Sequence, residues 1–233
     1  VRAGDHRGAG ALMTGPALVL DFGGPVLLTP FELVGDEPGT PAYALLHERG
    51  PLATAEHPDP AWEALRAGRI TERAYWAERA EAWHESGGHE PDIRAMIAHL
   101  YEPARPALVR EQARALVRDA HEAGLRVGIL TNDLRAFHSD DWIDRIEIVG
   151  DVDVVVDGSI EGHLKPAPRL YELLSERLGV DFADMVFLDD QLSNIRGAEA
   201  LGIPSVWFDV TDPDTSYACV RKLLGLPAES RHG

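Results

Sequence analysis

Asp21, Thr131, Asn132, Lys165, Asp189 and Asp190 are side chains that can attack an electrophile, hold a hard cation or bind an anion. Asp21 closes the apolar run ALVLD (17–21), Thr131-Asn132-Asp133 follows RVGIL, and Asp189-Asp190 ends MVFLD (185–189). Lys165 lies in the loop after DVVVD (153–157). In an open parallel sheet the ligand sits beyond the carboxyl ends of the strands, so residues at these places are the first to inspect. Taken singly each has an ordinary use, because an aspartate after a strand is a good turn former and Thr-Asn-Asp is a good helix cap.

Elements able to position such residues are visible in the pattern. Five short β-rich runs, the three above with RVGILT (126–131) and PSVWF (204–208), alternate with helical periodicity, which predicts βαβ units and a parallel sheet. Leu108, Ala113, Leu116, Val117 and Ala120 share one helix face that stops at Gly124. The same pattern recurs before Gly179 and before Gly202. Residues 31–105 differ: they hold Pro/Gly breaks, no convincing strand, and helical stretches around 61–84 and 91–101, so they read as a helical insertion. Trp62, Leu65, Ile70, Tyr75, Trp76 and Trp83 give that insertion enough apolar mass for a packed layer, and some of its aromatics could line a pocket. The expected organisation is a flexible extension over 1–14, a core formed by 15–30 and 106–224, a cap over 31–105 and a flexible tail over 225–233.

A formal charge of −17 disfavours nucleic acid and anionic membranes as partners. Small anionic substrates stay possible if a metal ion, Lys165 or helix N-termini help locally. Cys219 is the sole cysteine, so intramolecular disulfides and cysteine-based zinc sites are excluded, and a reducing cytoplasm fits. The run ALVL is too short for a signal-peptide core or a membrane span. Oligomeric state is not readable.

Together and in order, the segments ALVLDFGGPVL, GILTN, KPAPRLY and VFLDDQLSNIRGA resemble the four motifs of the haloacid dehalogenase superfamily, over about residues 17–208. The GRIT segment at 68–71 within the helical insertion resembles the small cap of its first subclass. The resemblance implies an α/β fold, a Rossmann-like αβα sandwich with an all-helical cap, and a phosphohydrolase acting on a small phosphorylated metabolite. It implies Asp21 as nucleophile, Mg²⁺ held by Asp21, the Gly23 carbonyl and Asp190 with Asp189 in support, and phosphate held by Thr131, Asn132 and Lys165. Such converging carboxylates would repel one another unless a divalent cation neutralised them, and an oxygen-only site suits Mg²⁺. Asn194 either fixes the loop after Asp190 or caps the following helix.

One position departs from the family pattern: Gly23 stands where most of its phosphatases carry a second aspartate that transfers protons. Losing that acid costs about 10²–10⁴ in rate unless the leaving group is good or another residue supplies the proton. His47, His57, His84 and His89 are candidate substitutes, although each also reads as a surface residue. A 2-haloacid dehalogenase, a non-catalytic phosphate-binding or regulatory protein, and another group-transfer enzyme are the competing functions. Asp189-Asp190 and Gly23 argue against the dehalogenase, whose family members lack the paired acids and usually carry an aromatic at the Gly23 position.

Overall fold

A computed structural model describes residues 16–33, 39–87, 91–102 and 106–228. The extension expected at 1–14 and the last five residues of the expected tail lie outside the described residues.

All five expected runs are strands: β1 (Ala17–Leu20), β2 (Arg126–Thr131), β3 (Val154–Asp157), β4 (Met185–Asp189) and β5 (Ser205–Trp207). They form one parallel sheet in the order β3-β2-β1-β4-β5. Successive side chains of a strand point to opposite faces. Leu18 and Leu20 accordingly join Val127, Ile129, Val186 and Leu188 under the helices Glu111–Glu122 and Pro213–Leu224. Ala17 and Val19 join Val156, Met185 and Phe187 under the helices Pro168–Leu178 and Leu192–Ala200. Burial on both faces is why the central strands β1 and β4 read as apolar runs up to their closing aspartates. The chain order reverses between β1 and β4, and ligands of open α/β sheets bind at that crevice.

Between β1 and the helix Glu111–Glu122 the regular elements among the described residues are the helices Pro30–Leu33, Pro41–Leu46, Pro60–Arg66, Glu72–Glu85 and Ile93–Tyr101, with 3₁₀ turns at Gly50–Leu52 and Pro106–Leu108. The single stretch expected at 61–84 is two helices. Gly68 takes a left-handed φ of +70°, which ends the first, and the Thr71 side chain accepts from the Ala74 N–H at 3.2 Å, which starts the second. Phe31, Trp62, Tyr75 and Trp76 interlock as a ring cluster, with Phe31 and Trp76 stacked at 5.4 Å. Buried Asp59 ties this layer together by accepting from the Gly50 N–H (3.0 Å), the Trp62 N–H (3.0 Å) and the Tyr75 hydroxyl (2.8 Å). Burial alone would raise its carboxyl, but these donors hold it below the usual range. The layer is fastened to the segments that follow β1 and β2 by the Tyr101 hydroxyl, which donates to the Leu28 carbonyl (2.7 Å), and by the Trp142 indole, which donates to the Tyr101 carbonyl (3.2 Å). Among the described residues no helix is long and apolar enough to cross a membrane.

Candidate active site

Parallel pairing sets Leu20 of β1 beside Leu188 of β4, so the next residues, Asp21 and Asp189, leave the sheet side by side. The Asp21 N–H donates to the Leu188 carbonyl at 2.9 Å, and its Oδ1 accepts from the Phe22 N–H at 2.7 Å, which fixes the carboxylate at the strand tip. Lys165 arrives from the loop after β3. Its Nζ lies 2.7 Å from Asp21 Oδ1 and 2.7 Å from Asp189 Oδ2, and it donates to the Leu130 carbonyl at 2.8 Å. Three acceptors use the three protons of the ammonium.

Asp189 is fully buried and completely engaged. Besides Lys165 it accepts from the Gln191 N–H (2.7 Å) and from Asn194 Nδ2, 3.1 Å from each oxygen. It therefore anchors the lysine, and Asn194 anchors it in turn, which gives Asn194 a site-fixing role rather than a capping one. Asn132 does similar work on the main chain, since its Oδ1 accepts from the Lys165 N–H at 2.7 Å. Thr131 closes β2 beside the same cleft, buried and in register with Asp157.

Asp190 faces the cleft half-buried, and among the described residues no donor is hydrogen-bonded to its carboxylate. One oxygen from each of Asp21, Asp189 and Asp190 lies within 4.8 Å of the others. Burial, opposed by Lys165, pushes the Asp21 carboxyl up to about 7, and burial with repulsion from Asp21 and Asp189 holds Asp190 well above the usual range. Burial would lower Lys165, yet its two aspartates keep it above the ordinary lysine value. A cluster with more carboxylate charge than its single ammonium can offset, made of oxygen donors alone, matches the donor set of a hard divalent cation. Gly23 lies next to Asp21 on the cleft wall. The following Gly24 has φ +79°, and a Cβ there would come within 2.9 Å of Asp190 Oδ2, so only glycine lets the two loops approach this closely.

A family model of haloacid dehalogenase-like hydrolases matches residues 35–202, more than two thirds of the chain. The chain belongs to that family. It is similar to Phosphatase MT3486 of Mycobacterium tuberculosis, 32% identical over 132 residues that make up 57% of this chain and 56% of that protein. It is also similar to the phosphoglycolate phosphatase of Escherichia coli K12, 31% identical over 117 residues, 45% of this chain and 46% of that one. The match thus spans about half the length of these curated relatives. The solved structure of YfnB from Bacillus subtilis bound to magnesium shares the fold, with TM-score 0.60 at 15% identity over 91% of this chain and all of that one.

This haloacid dehalogenase-like site has two contributors with no sequence signal of their own. Arg110 is buried at the start of the helix Glu111–Glu122. Its Nε donates to the Gly24 carbonyl (2.6 Å), and its guanidinium pairs with Glu32 (2.6 Å) over the Phe208 ring, so it pins the loop after β1. Glu72, the first residue of the helix Glu72–Glu85, also lines the cleft. The histidines considered as proton donors are elsewhere: His47 stacks on Tyr43 and pairs with Glu48, His57 also pairs with Glu48, and His84 is exposed. None of these three lines the cleft, and His89 lies outside the described residues. Sequence spacing could not have excluded them, because each sits on a helix end or turn whose direction depends on packing.

The raised carboxyls of this haloacid dehalogenase-like hydrolase set the sign of a pH effect. A group whose folded pKa exceeds its unfolded value stabilises the fold below the unfolded value and loses that contribution as pH rises through the folded one. For Asp21 that window runs from 3.8 to about 7. Cation-free protein should therefore lose this contribution across the window, and Mg²⁺, which favours the ionised acids, should restore it. Calorimetry should find that Mg²⁺ raises Tm by about 3 °C or more at neutral pH and by less near pH 5. Asp190→Asn should remove most of that rise, and an equal or larger rise at the acidic pH would contradict this assignment of charge.

Proposed function

We propose that this chain is a Mg²⁺-dependent phosphohydrolase that transfers the phosphoryl group of a small monoester to Asp21 and then to water. The observation that carries the reading is the buried Lys165 ammonium shared by Asp21 and Asp189, with the unpaired carboxylate of Asp190 beside them. Asp21, Asp190 and the Gly23 carbonyl are the groups that would hold Mg²⁺, which when bound would neutralise the acids and draw charge from the phosphoryl oxygens. Lys165 orients the Asp21 oxygen and adds positive charge where the phosphoryl group must lie. Thr131 and Asn132 border that place and would contact the phosphoryl oxygens. Asp21 attacks phosphorus in line, so one difficult displacement becomes two easier ones. Residues 31–105 act as the cap that closes the cleft from water, and residues 15–30 with 106–224 act as the catalytic core. The single cysteine fits a cytoplasmic setting.

The lining of the cleft also speaks to the substrate. Beyond the aspartates its wall includes Phe31, Trp62, Trp76, Ile97, Tyr101 and Phe137. Among the described residues lining it, Lys165 is the only ammonium or guanidinium, and it is already bound by two aspartates. A substrate carboxylate, as in phosphoglycolate or a 2-haloacid, would find no cation of its own and would face Asp190. An apolar or aromatic organic group would gain about 25 cal/mol for each Å² buried. The reading is therefore a phosphate ester of an apolar alcohol or phenol, and the dehalogenase reading loses ground.

A phosphate-release screen with and without Mg²⁺, covering aryl, alkyl, sugar and carboxylated phosphates, tests this. Phenyl and phenylalkyl phosphates should exceed phosphoglycolate by at least about 10-fold in kcat/KM, a difference of roughly 1.4 kcal/mol. The reverse preference would contradict the substrate class, and release that ignores chelation would contradict the metal requirement.

A further inference from the structure

Gly23 leaves the first motif without the proton-transferring side chain that a phosphate ester of a poor leaving group needs, and the structure shows where one could come from. A Cβ built on Gly23 would meet nothing within 4 Å, so the space an acid would fill there is open. Around that space the titratable groups of the cleft are nearly all committed. Lys165 and Asp189 hold each other. Asp133 is paired with Arg73 at 2.6 Å. The Tyr101 hydroxyl donates to the Leu28 carbonyl, and burial raises it far above neutral pH. His138 stacks on Trp142 at 3.8 Å, and burial pushes it down to about 4, so it stays unprotonated at neutral pH. Asp21 is the nucleophile, and Asp190 belongs to the cation cluster.

Glu72 is the group left. It opens the helix Glu72–Glu85, whose start is fixed by the Thr71 cap, and it lines the cleft within electrostatic reach of Asp21 and Asp190. Its carboxylate lies near the Trp76 side chain one turn on, in the wall where the organic part of a substrate would lie. Burial, with repulsion from Asp189 and Asp133, raises this carboxyl, so it can carry a proton nearer neutral pH than an exposed glutamate. Its place at a helix N-terminus favours the ionised form in the other half of a cycle.

We propose that Glu72 is the general acid and base of this site, supplied by the inserted helices in place of the first motif. The proposal rests on the phosphohydrolase reading above. As the Asp21 oxygen bonds to phosphorus and the bond from phosphorus to the ester oxygen breaks, the Glu72 proton passes to that oxygen and a neutral alcohol leaves. In the second half, the Glu72 carboxylate takes a proton from water as the water oxygen bonds to phosphorus and the Asp21–phosphorus bond breaks. Phosphate is released and both side chains return to their starting states.

The test compares wild type, Glu72→Gln, Glu72→Gln with Gly23→Asp, and Asp21→Asn at saturating Mg²⁺. The probes are p-nitrophenyl phosphate, whose leaving group needs no proton, and 2-phenylethyl phosphate, whose leaving group does. Glu72→Gln keeps size but cannot cycle a proton. It should lower turnover of 2-phenylethyl phosphate by about 10²-fold. With p-nitrophenyl phosphate it should give a burst of nitrophenolate stoichiometric with enzyme, then a slow steady state, because only hydrolysis of the phosphoenzyme is held back. Adding Gly23→Asp should recover at least about 10-fold of the loss. Equal losses on both probes with no burst, unchanged turnover, or a weakened Mg²⁺ requirement in Glu72→Gln would overturn the role of Glu72 while an inactive Asp21→Asn left the phosphohydrolase reading standing. Wild type that released no phosphate from either probe would overturn both.

Discussion

Asp21→Asn should abolish phosphate release, lowering kcat by at least about 10⁴-fold, because an amide oxygen cannot serve as the proposed nucleophile and no second carboxylate stands at the tip of β1. The substitution keeps shape and leaves an oxygen to accept from the Phe22 N–H and Lys165. It also removes one negative charge from a cluster in which Asp21 and Asp190 are already held in raised, repelling states. The variant should therefore fold as well as wild type and, without a cation, melt at an equal or higher temperature, the usual exchange between function and stability at a strained site. Steady-state kinetics with calorimetry on the same preparation checks both halves. Loss of activity together with a lower melting temperature would point to a folding defect. Stoichiometric phosphate binding by both proteins with turnover by neither would favour a binding protein.

Lys165→Met should damage both properties. The side chain is 1% exposed and closes contacts to Asp21, Asp189 and the Leu130 carbonyl. Methionine fills similar volume but leaves two buried carboxylates without their cation, and breaking a buried pair from one side costs about 3–5 kcal/mol. Lys165 is also the largest influence opposing the rise of the Asp21 carboxyl, so its loss shifts Asp21 further toward the protonated, non-nucleophilic form. With the lost stabilisation of phosphoryl charge, kcat should fall by about 10²–10³-fold. Urea unfolding and kinetics at saturating Mg²⁺ read the two effects, and a loss of less than about 10-fold with full stability would show that the ammonium is incidental.

The central strands could be read from the chain because a parallel sheet covered on both faces favours apolar residues at successive positions, as in β1 and β4. Asp21, Thr131, Lys165 and Asp189-Asp190 could be found for a related reason: each follows a strand or its adjoining loop, and the strand order brings these ends to one crevice. What they do to one another was less visible. That Asp189 is saturated by Lys165, Gln191 and Asn194 while Asp190 faces the cleft depends on side-chain direction beyond the strand end. Asn132 has a motif position suited to phosphate contact, yet its side chain clamps the main chain of Lys165. Glu72 and Arg110 were hidden because a helix start carries no address. Only the packing of Phe31, Trp62, Tyr75 and Trp76 aims the helix Glu72–Glu85 at the aspartates.

The helical stretch around 61–84 divides in two for a local reason. The stretch 61–84 carries enough helix formers to read as continuous, but Gly68 in a left-handed turn and the Thr71 cap divide it. The division matters for chemistry, since a continuous helix would have no N-terminus at Glu72.

The most direct test of the central claim is chemical capture of the phosphoryl group during turnover. Wild-type protein mixed with p-nitrophenyl phosphate and Mg²⁺, quenched in acid within milliseconds and digested, should carry an acid-stable, base-labile phosphoryl group on the peptide containing Asp21. It should be missing with chelator and in Asp21→Asn. A phosphoryl group on another residue, or steady release of phosphate by Asp21→Asn, would contradict the account.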